Sequence, residues 1–182
     1  MVKLQSSSLH FIAVLQAISL IAAMSPAEAG TASGTIGVSL NVTSACVVNG
    51  ATSASSTFGN AGNMAFADQP GLFGNVDAQV QTSGGGALSV LCSPGASPSL
   101  TLGSGQHDNS GQRYLSTGTS SIAYRLFSDP ARTQEIAVGG SIPLGSATSA
   151  AITVPIYGRV NSGGAVIAAG SYTDTVSVTL SW

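Results

Sequence analysis

The sequence has little charge: only 7% of its 182 residues are charged, and its net charge is −2. Lysine occurs only as Lys3, and the basic residues after it are the dispersed arginines Arg113, Arg125, Arg132 and Arg159. Such a chain lacks the basic face that binds nucleic acid or an anionic membrane surface. Disorder is also disfavoured, because 43% of the residues are hydrophobic and disordered chains are poor in them.

Cysteine and histidine are scarce as well. The chain has 2 cysteines, Cys46 and Cys92, and 2 histidines, His10 and His107. This set does not supply four ligands at the spacing of a structural zinc site. The acidic residues are scattered and show no calcium-loop pattern. We therefore expect no metal site and no other cofactor.

The first 29 residues have the layout of a signal peptide. Lys3 precedes an apolar run over residues 9–24, which has His10 near its start and is followed by the small residues around Glu28. A membrane anchor is the alternative, but the run is shorter than the roughly 20 residues that span a bilayer. No later segment is long and apolar enough for a membrane span. Export places Cys46 and Cys92 where disulfides persist, so a single bridge between them is expected.

After the signal, the pattern predicts an all-β fold. No sustained helical stripe is present, whereas short runs of period two alternate with Gly, Pro, Asn and Ser. Predicted strands cover residues 35–48, 63–67, 76–82, 87–92, 99–103, 122–127, 135–138, 151–160 and 172–182. This number of short strands favours one immunoglobulin-like β-sandwich, with a closed barrel as the alternative.

The first and last predicted strands each have one apolar face. The first presents Ile36, Val38, Leu40 and Val42 at two-residue spacing. The last presents, at the same spacing, Tyr172, Asp174, Val176, Val178, Leu180 and Trp182. This alternation alone is also compatible with the ordinary terminal strands of a complete sandwich, which have one buried face as well.

Three stretches, together with Cys46 near the start of the fold and Cys92, carry a family resemblance. They are "RLFSDPART" (125–133), "VPIYGRV" (154–160) and "GSYTDTVSVTLSW" (170–182). With them the mature chain resembles the spore coat protein U-like family, which includes subunits of archaic, Csu-type pili assembled by the chaperone–usher route. The resemblance implies an incomplete sandwich that is completed by a donated strand.

The resemblance also implies partners and a location. A periplasmic chaperone lends a strand to each subunit, and at the outer-membrane usher the N-terminal segment of the next subunit replaces it. Repetition builds a fibre of identical or related pilin subunits on the cell surface, where it promotes adhesion and biofilm formation.

Carried onto this sequence, the resemblance assigns residues 30–42 as the donor segment and residues 43–182 as the pilin domain. The donor face is Ile36, Val38, Leu40 and Val42. The acceptor groove is expected beside the last strand, at Tyr172, Val176, Val178, Leu180 and Trp182. A disulfide between Cys46 and Cys92 ties the first strand of the fold to the body.

Other functions are less well supported. An enzyme would have to use His107 beside Asp108, but adjacent residues rarely give the geometry of a catalytic triad, and no G-x-S-x-G motif is present. A carbohydrate-binding sandwich would need exposed, clustered aromatic residues. In a non-fibrous secreted coat or matrix protein, the first strand would instead pair within its own molecule.

Overall fold

The computed structural model describes residues 29–51 and 57–182. The predicted signal peptide, apart from Ala29, lies outside them. The chain divides into a leading unit, Met1–Asn41, and a body, Val42–Trp182. Every strand of the described residues belongs to the body.

The body is built of antiparallel strands, and no helix occurs among the described residues. The strands are β1 (Cys46–Val48), β2 (Val76–Gln79), β3 (Leu88–Cys92), β4 (Ser99–Gly105), β5 (Arg113–Ser116), β6 (Ser121–Phe127), β7 (Gly140–Pro143), β8 (Ile152–Val154), β9 (Tyr157–Val160) and β10 (Val176–Ser181). They form three sheets, with the orders β1-β3-β8, β10-β4-β7 and β2-β9-β6-β5. The prediction of an all-β fold is confirmed. No helix of the described part is long and apolar enough to cross a membrane.

One buried cluster joins the three sheets. Alternate residues of β3, β4 and β6 point inward, because successive side chains of a strand face opposite sides. Leu88, Leu100 and Leu102 are at most 1% exposed and lie at its centre. The core therefore follows the period-two pattern of the sequence.

Arg113 is a charged residue inside this core, with 4% of its surface exposed. Its guanidinium donates to the backbone carbonyls of Leu102, Gly103, Ile136 and Ala137 at 2.8–3.1 Å. Burial lowers the pKa of the guanidinium from its usual value. These hydrogen bonds hold β5 against β4, the strand that pairs with β10.

The predicted strand over residues 35–48 is too long, because strand structure begins only at Cys46. Residues 35–45 have a strand-like pattern but no strand assignment. A strand requires a hydrogen-bonded neighbour, which alternation cannot supply by itself. The predicted strand over 151–160 is divided into β8 and β9 around Pro155, whose missing N–H interrupts the ladder.

Several other boundaries differ from the predictions. Residues 63–67 and 135–138 contribute only isolated bridges, Asn63 to Gln81 and Glu135 to Phe127. β4 extends to Gly105, two residues beyond the predicted strand over 99–103. The sequence pattern does not predict β5 or β7. β7 begins at a glycine and ends at a proline, residues that resemble turn signals in the sequence.

A candidate strand-binding groove

β1 and β10 are both edge strands. β1 stands at one end of the order β1-β3-β8, and β10 at one end of the order β10-β4-β7. The two strands line a common cavity. An edge strand presents unpaired N–H and C=O groups that can hydrogen-bond to another strand.

The larger part of the groove runs along the first half of β10 and has a volume of about 720 Å³. Residues 174–178 form one wall, and residues 57–64 with Phe66 contribute a second stretch of the lining. The floor is formed by core residues of the other strands and their neighbours: Val80, Leu88, Leu102, Leu115, Tyr124, Leu126 and Ile156. The floor is therefore almost wholly apolar.

The smaller part of the groove continues along the second half of β10 and has a volume of about 190 Å³. Here residues 46–48 of β1 face residues 178–180 of β10, and Trp182 lies at the end. Thr57, Phe58 and Val178 line both parts. Phe58 is partly buried against the core, so its ring lies where the two parts meet.

A buried polar cluster closes the other end of the groove. The Asp174 side chain is 2% exposed. Its Oδ2 accepts a hydrogen bond from the Tyr124 hydroxyl at 2.6 Å, and its Oδ1 accepts one from the His107 backbone N–H at 3.2 Å. The ring Nδ1 of His107 lies 3.2 Å from the same oxygen. These contacts join Asp174, which lies just before β10, to β6 and to the loop after β4.

Tyr124 gives this cluster a testable pH dependence. Burial, reinforced by the hydrogen bond to Asp174, raises the pKa of its hydroxyl well above the usual value of 10.0. A folded-state pKa above the unfolded one stabilises the protein below about pH 10, and this stability is lost as the pH rises further. We expect the free energy of unfolding to fall above pH 10 more steeply in the wild type than in Tyr124→Phe, by up to about 1.4 kcal/mol per pH unit.

Urea unfolding of the two mature proteins, followed by circular dichroism between pH 8 and 11, measures this difference. Tyr172→Phe is the control, because the Tyr172 hydroxyl donates to the Ala168 carbonyl in an exposed hydrogen bond. Equal slopes for the wild type and Tyr124→Phe above pH 10 would contradict the assignment.

The leading unit ends in a segment with exposed apolar side chains. Ile36 and Val38 are each 91% exposed and Leu40 is 86% exposed, and residues 30–41 have no strand assignment. Val42, the first residue of the body, is 79% exposed. The predicted donor face is thus a row of aliphatic side chains at alternate positions, open to solvent.

The predicted disulfide is present. Cys46 and Cys92 are bonded to each other and are paired residues of β1 and β3. Both are 4% exposed. The bond anchors β1, one wall of the smaller part of the groove, to the core strand β3.

The predicted acceptor residues lie in different parts of this region. Val176 and Val178 line the larger part, and Val178, Leu180 and Trp182 line the smaller part. Tyr172 lies outside the lining of both and is packed against the core. Sequence reasoning missed the wall at Phe58 and the polar end at Asp174. The sequence did contain a signal for Asp174, because this acidic residue continues the two-residue spacing of the apolar face that follows it.

The features that other functions would require are placed differently. His107 contacts Asp174 rather than its neighbour Asp108. Of the aromatic residues in the described part, Trp182 alone is exposed, so no exposed aromatic cluster forms there. Tyr124 and Phe127 are buried, and the partly buried ones are Phe58, Phe66, Phe73, Tyr114, Tyr157 and Tyr172. Among the residues that the structure describes, no group of three or more metal-binding side chains is found.

A family model described as the Spore Coat Protein U domain matches residues 32–179. A search of curated proteins gives no match. Among solved structures, a similar chain is part of the crystal structure of the CsuC-CsuE chaperone-tip adhesion subunit pre-assembly complex from archaic chaperone-usher Csu pili of Acinetobacter baumannii. The two chains are 16% identical with a TM-score of 0.48, and the alignment covers 78% of this chain and 40% of that chain.

The family match extends from the apolar leading segment through all the strands to the middle of β10. It includes both cysteines, most of the groove lining, and all or most of each stretch that carries the family resemblance. The chain therefore belongs to the Spore Coat Protein U domain family.

Proposed function

We propose that this protein is a structural pilin subunit that polymerises by donor-strand exchange. The observation that carries the proposal is the groove along the edge strand β10, which has an apolar floor in its larger part and faces the edge strand β1 in its smaller part. An extended segment placed there would hydrogen-bond to free strand edges and cover core side chains. The donor is residues 30–42 of a second copy of this chain or of a related subunit.

The leading segment has the chemistry that this groove requires. Four aliphatic side chains alternate along it, and each is at least 79% exposed. Burying such a side chain stabilises by about 1.5–3 kcal/mol, and each ladder hydrogen bond adds roughly 0.5–1.5 kcal/mol. Insertion therefore contributes on the order of 10 kcal/mol before the entropy of ordering, comparable with the stability of a whole domain.

The proposal includes assembly partners. An open groove with an apolar floor needs a temporary cover during export, which a periplasmic chaperone provides by strand addition. The next subunit displaces that cover at an outer-membrane usher. The product is a surface fibre of the archaic chaperone–usher class that acts in adhesion and biofilm formation.

The first test is electrophoresis without heating or reduction. The mature protein is produced in the periplasm with its chaperone and usher, beside a copy that lacks residues 30–42. We expect ladders of subunits that collapse on boiling for the intact protein, and a single band for the truncated copy, because it accepts a strand but donates none.

A stable monomer in both samples, formed without a chaperone, would overturn the proposal. The protein would then be a self-sufficient secreted sandwich of the coat or matrix kind. A sugar-binding module is disfavoured because Trp182 is the one exposed aromatic residue in the described part, so no exposed cluster forms there.

A further inference from the structure

The apolar face of β10 ends at a fixed, buried carboxylate. Val176, Val178, Leu180 and Trp182 follow one another at two-residue steps, and all four line the groove. Two residues before Val176, in the same phase, the groove is lined by Asp174. The groove beside β10 therefore offers four apolar positions, bounded at one end by a negative charge.

The surroundings of Asp174 hold this carboxylate in place. Tyr124 donates to one oxygen and the His107 backbone to the other. A Cβ atom at Gly105 would overlap the carboxylate, so a glycine at this point of β4 leaves room for it. Contacts from β6 and from the stretch at the end of β4 thus fix its position, and rotation of the side chain out of the groove would break these hydrogen bonds.

A fixed carboxylate restricts what can lie beside it. The carboxylate is already 2% exposed and hydrogen-bonded within its own chain, so an aliphatic side chain beside it would displace the nearby groove water that helps to solvate the charge, and lowering the polarity around a buried charge is costly. A glycine leaves space for water, and a serine supplies a hydroxyl donor. The end of the groove should therefore accept small or hydroxyl-bearing residues and reject aliphatic ones.

The leading segment has a matching pattern. Its apolar face has four aliphatic positions, from Ile36 to Val42, preceded in the same phase by Gly34 and followed by Ser44. Either end of the face is therefore compatible with the carboxylate. A slip of two residues toward Asp174 would bring Ile36 or Val42 onto it, depending on the direction of the inserted strand.

We propose that Asp174 is a register-determining residue for the donated strand: it stops the aliphatic face of a second copy at its end, with Gly34 or Ser44 beside the carboxylate. This inference rests on the proposed function. It adds that the groove selects donors by where their aliphatic run ends, as well as by their hydrophobicity.

The test measures competition between synthetic donor peptides that span residues 31–44. The acceptor is the full mature chain carrying Leu40→Asp, taken from its chaperone complex, so that its own segment does not compete. The native peptide is compared with three variants that each add one leucine. Gly34→Leu and Ser44→Leu extend the aliphatic face at its two ends, whereas Thr35→Leu, the matched control, adds the same side chain to the opposite face.

We expect one of the two face-extending peptides to bind about tenfold or more weakly than the native peptide. Thr35→Leu should bind as well as the native peptide. The face-extending peptide that loses affinity identifies the direction of the strand. In an acceptor that also carries Asp174→Asn the loss should be smaller, because the buried group is then neutral.

The outcomes separate the two proposals. A native peptide that does not bind would overturn the proposed function, and the register role with it. Native binding with no loss for either face-extending peptide would overturn the register role alone. The register role would also be overturned if the Asp174→Asn acceptor folds and the face-extending peptide loses as much affinity for it as for the acceptor with Asp174. The peptide comparison needs no substitution at Asp174, so it decides the question even if Asp174→Asn does not fold.

Discussion

Replacing Leu40 with aspartate is expected to abolish polymerisation while the folded, chaperone-bound subunit remains intact. Leu40 lies in the middle of the apolar face and is 86% exposed within its own chain, so the substitution removes little packing there. In the fibre, the new carboxylate would enter an apolar groove without a partner, at a cost of several kcal/mol. At about 4 kcal/mol the exchange equilibrium falls roughly a thousandfold.

The measurement is the heat-sensitive ladder on an unheated gel, with electron microscopy of surface fibres. Ser39→Asp is the matched control, because it adds the same charge one residue away, on the opposite face of the segment. We expect Ser39→Asp to form ladders. Normal fibres from Leu40→Asp would contradict donor-strand exchange through this face. Equal failure of both variants would show that charge is harmful regardless of face.

Co-purification of each variant with the chaperone checks the second half of this expectation. The chaperone supplies its own strand to the groove, so residues 30–42 of the bound subunit are not needed for that complex. Leu40→Asp should therefore be recovered with the chaperone in wild-type amounts. A variant that loses both chaperone binding and polymerisation would have a folding defect, and its gel would not bear on strand exchange.

The sequence predicted the fold class and the apolar faces at the two ends of the chain because both depend on local alternation. Strand pairing depends on residues far apart in the sequence. The segment containing Ile36, Val38 and Leu40 has the alternation of a strand, but it forms none within its own chain. Alternation thus predicts that a segment can pair, and leaves open the molecule with which it pairs.

The missed features have a common physical cause. β5 begins at a buried arginine, a residue type that is usually exposed, and Arg113 is accommodated only because distant backbone carbonyls accept its hydrogen bonds. Phe58 becomes part of the groove lining by packing against the core, most of whose buried residues come from later parts of the chain. Asp174 interrupts an apolar face, and only the structure reveals Tyr124 and His107 as its partners.

The disulfide should have the largest effect on the stability of the subunit itself. Cys46 and Cys92 are 46 residues apart, and closing a loop of that length stabilises by about 4 kcal/mol in the chain-entropy model. That is a large fraction of the roughly 5–15 kcal/mol by which a domain is usually stable. We expect the Cys46→Ala/Cys92→Ala variant to lose about this amount in urea unfolding, measured with the chaperone-free mature chain carrying Leu40→Asp.

The same bond should also affect strand exchange, because β1 is only three residues long and its pairing partner is β3. Without the bond, β1 is held by this short ladder and by the packing of Val48 in the core. The smaller part of the groove then loses a fixed wall, while the wall at β10 remains paired with β4. Donor peptide affinity for the alanine variant should therefore fall under conditions in which the variant is still folded.

Val90→Ala separates loss of stability from loss of the groove wall. Val90 is fully buried in β3, opposite Val48, and lies outside the lining of the groove. Its truncation lowers stability through the core, by roughly 1–3 kcal/mol. We expect Val90→Ala to keep its affinity for the donor peptide where it is folded, and the cysteine variant to lose affinity under the same conditions. If both bind equally well, the disulfide stabilises the fold without shaping the groove.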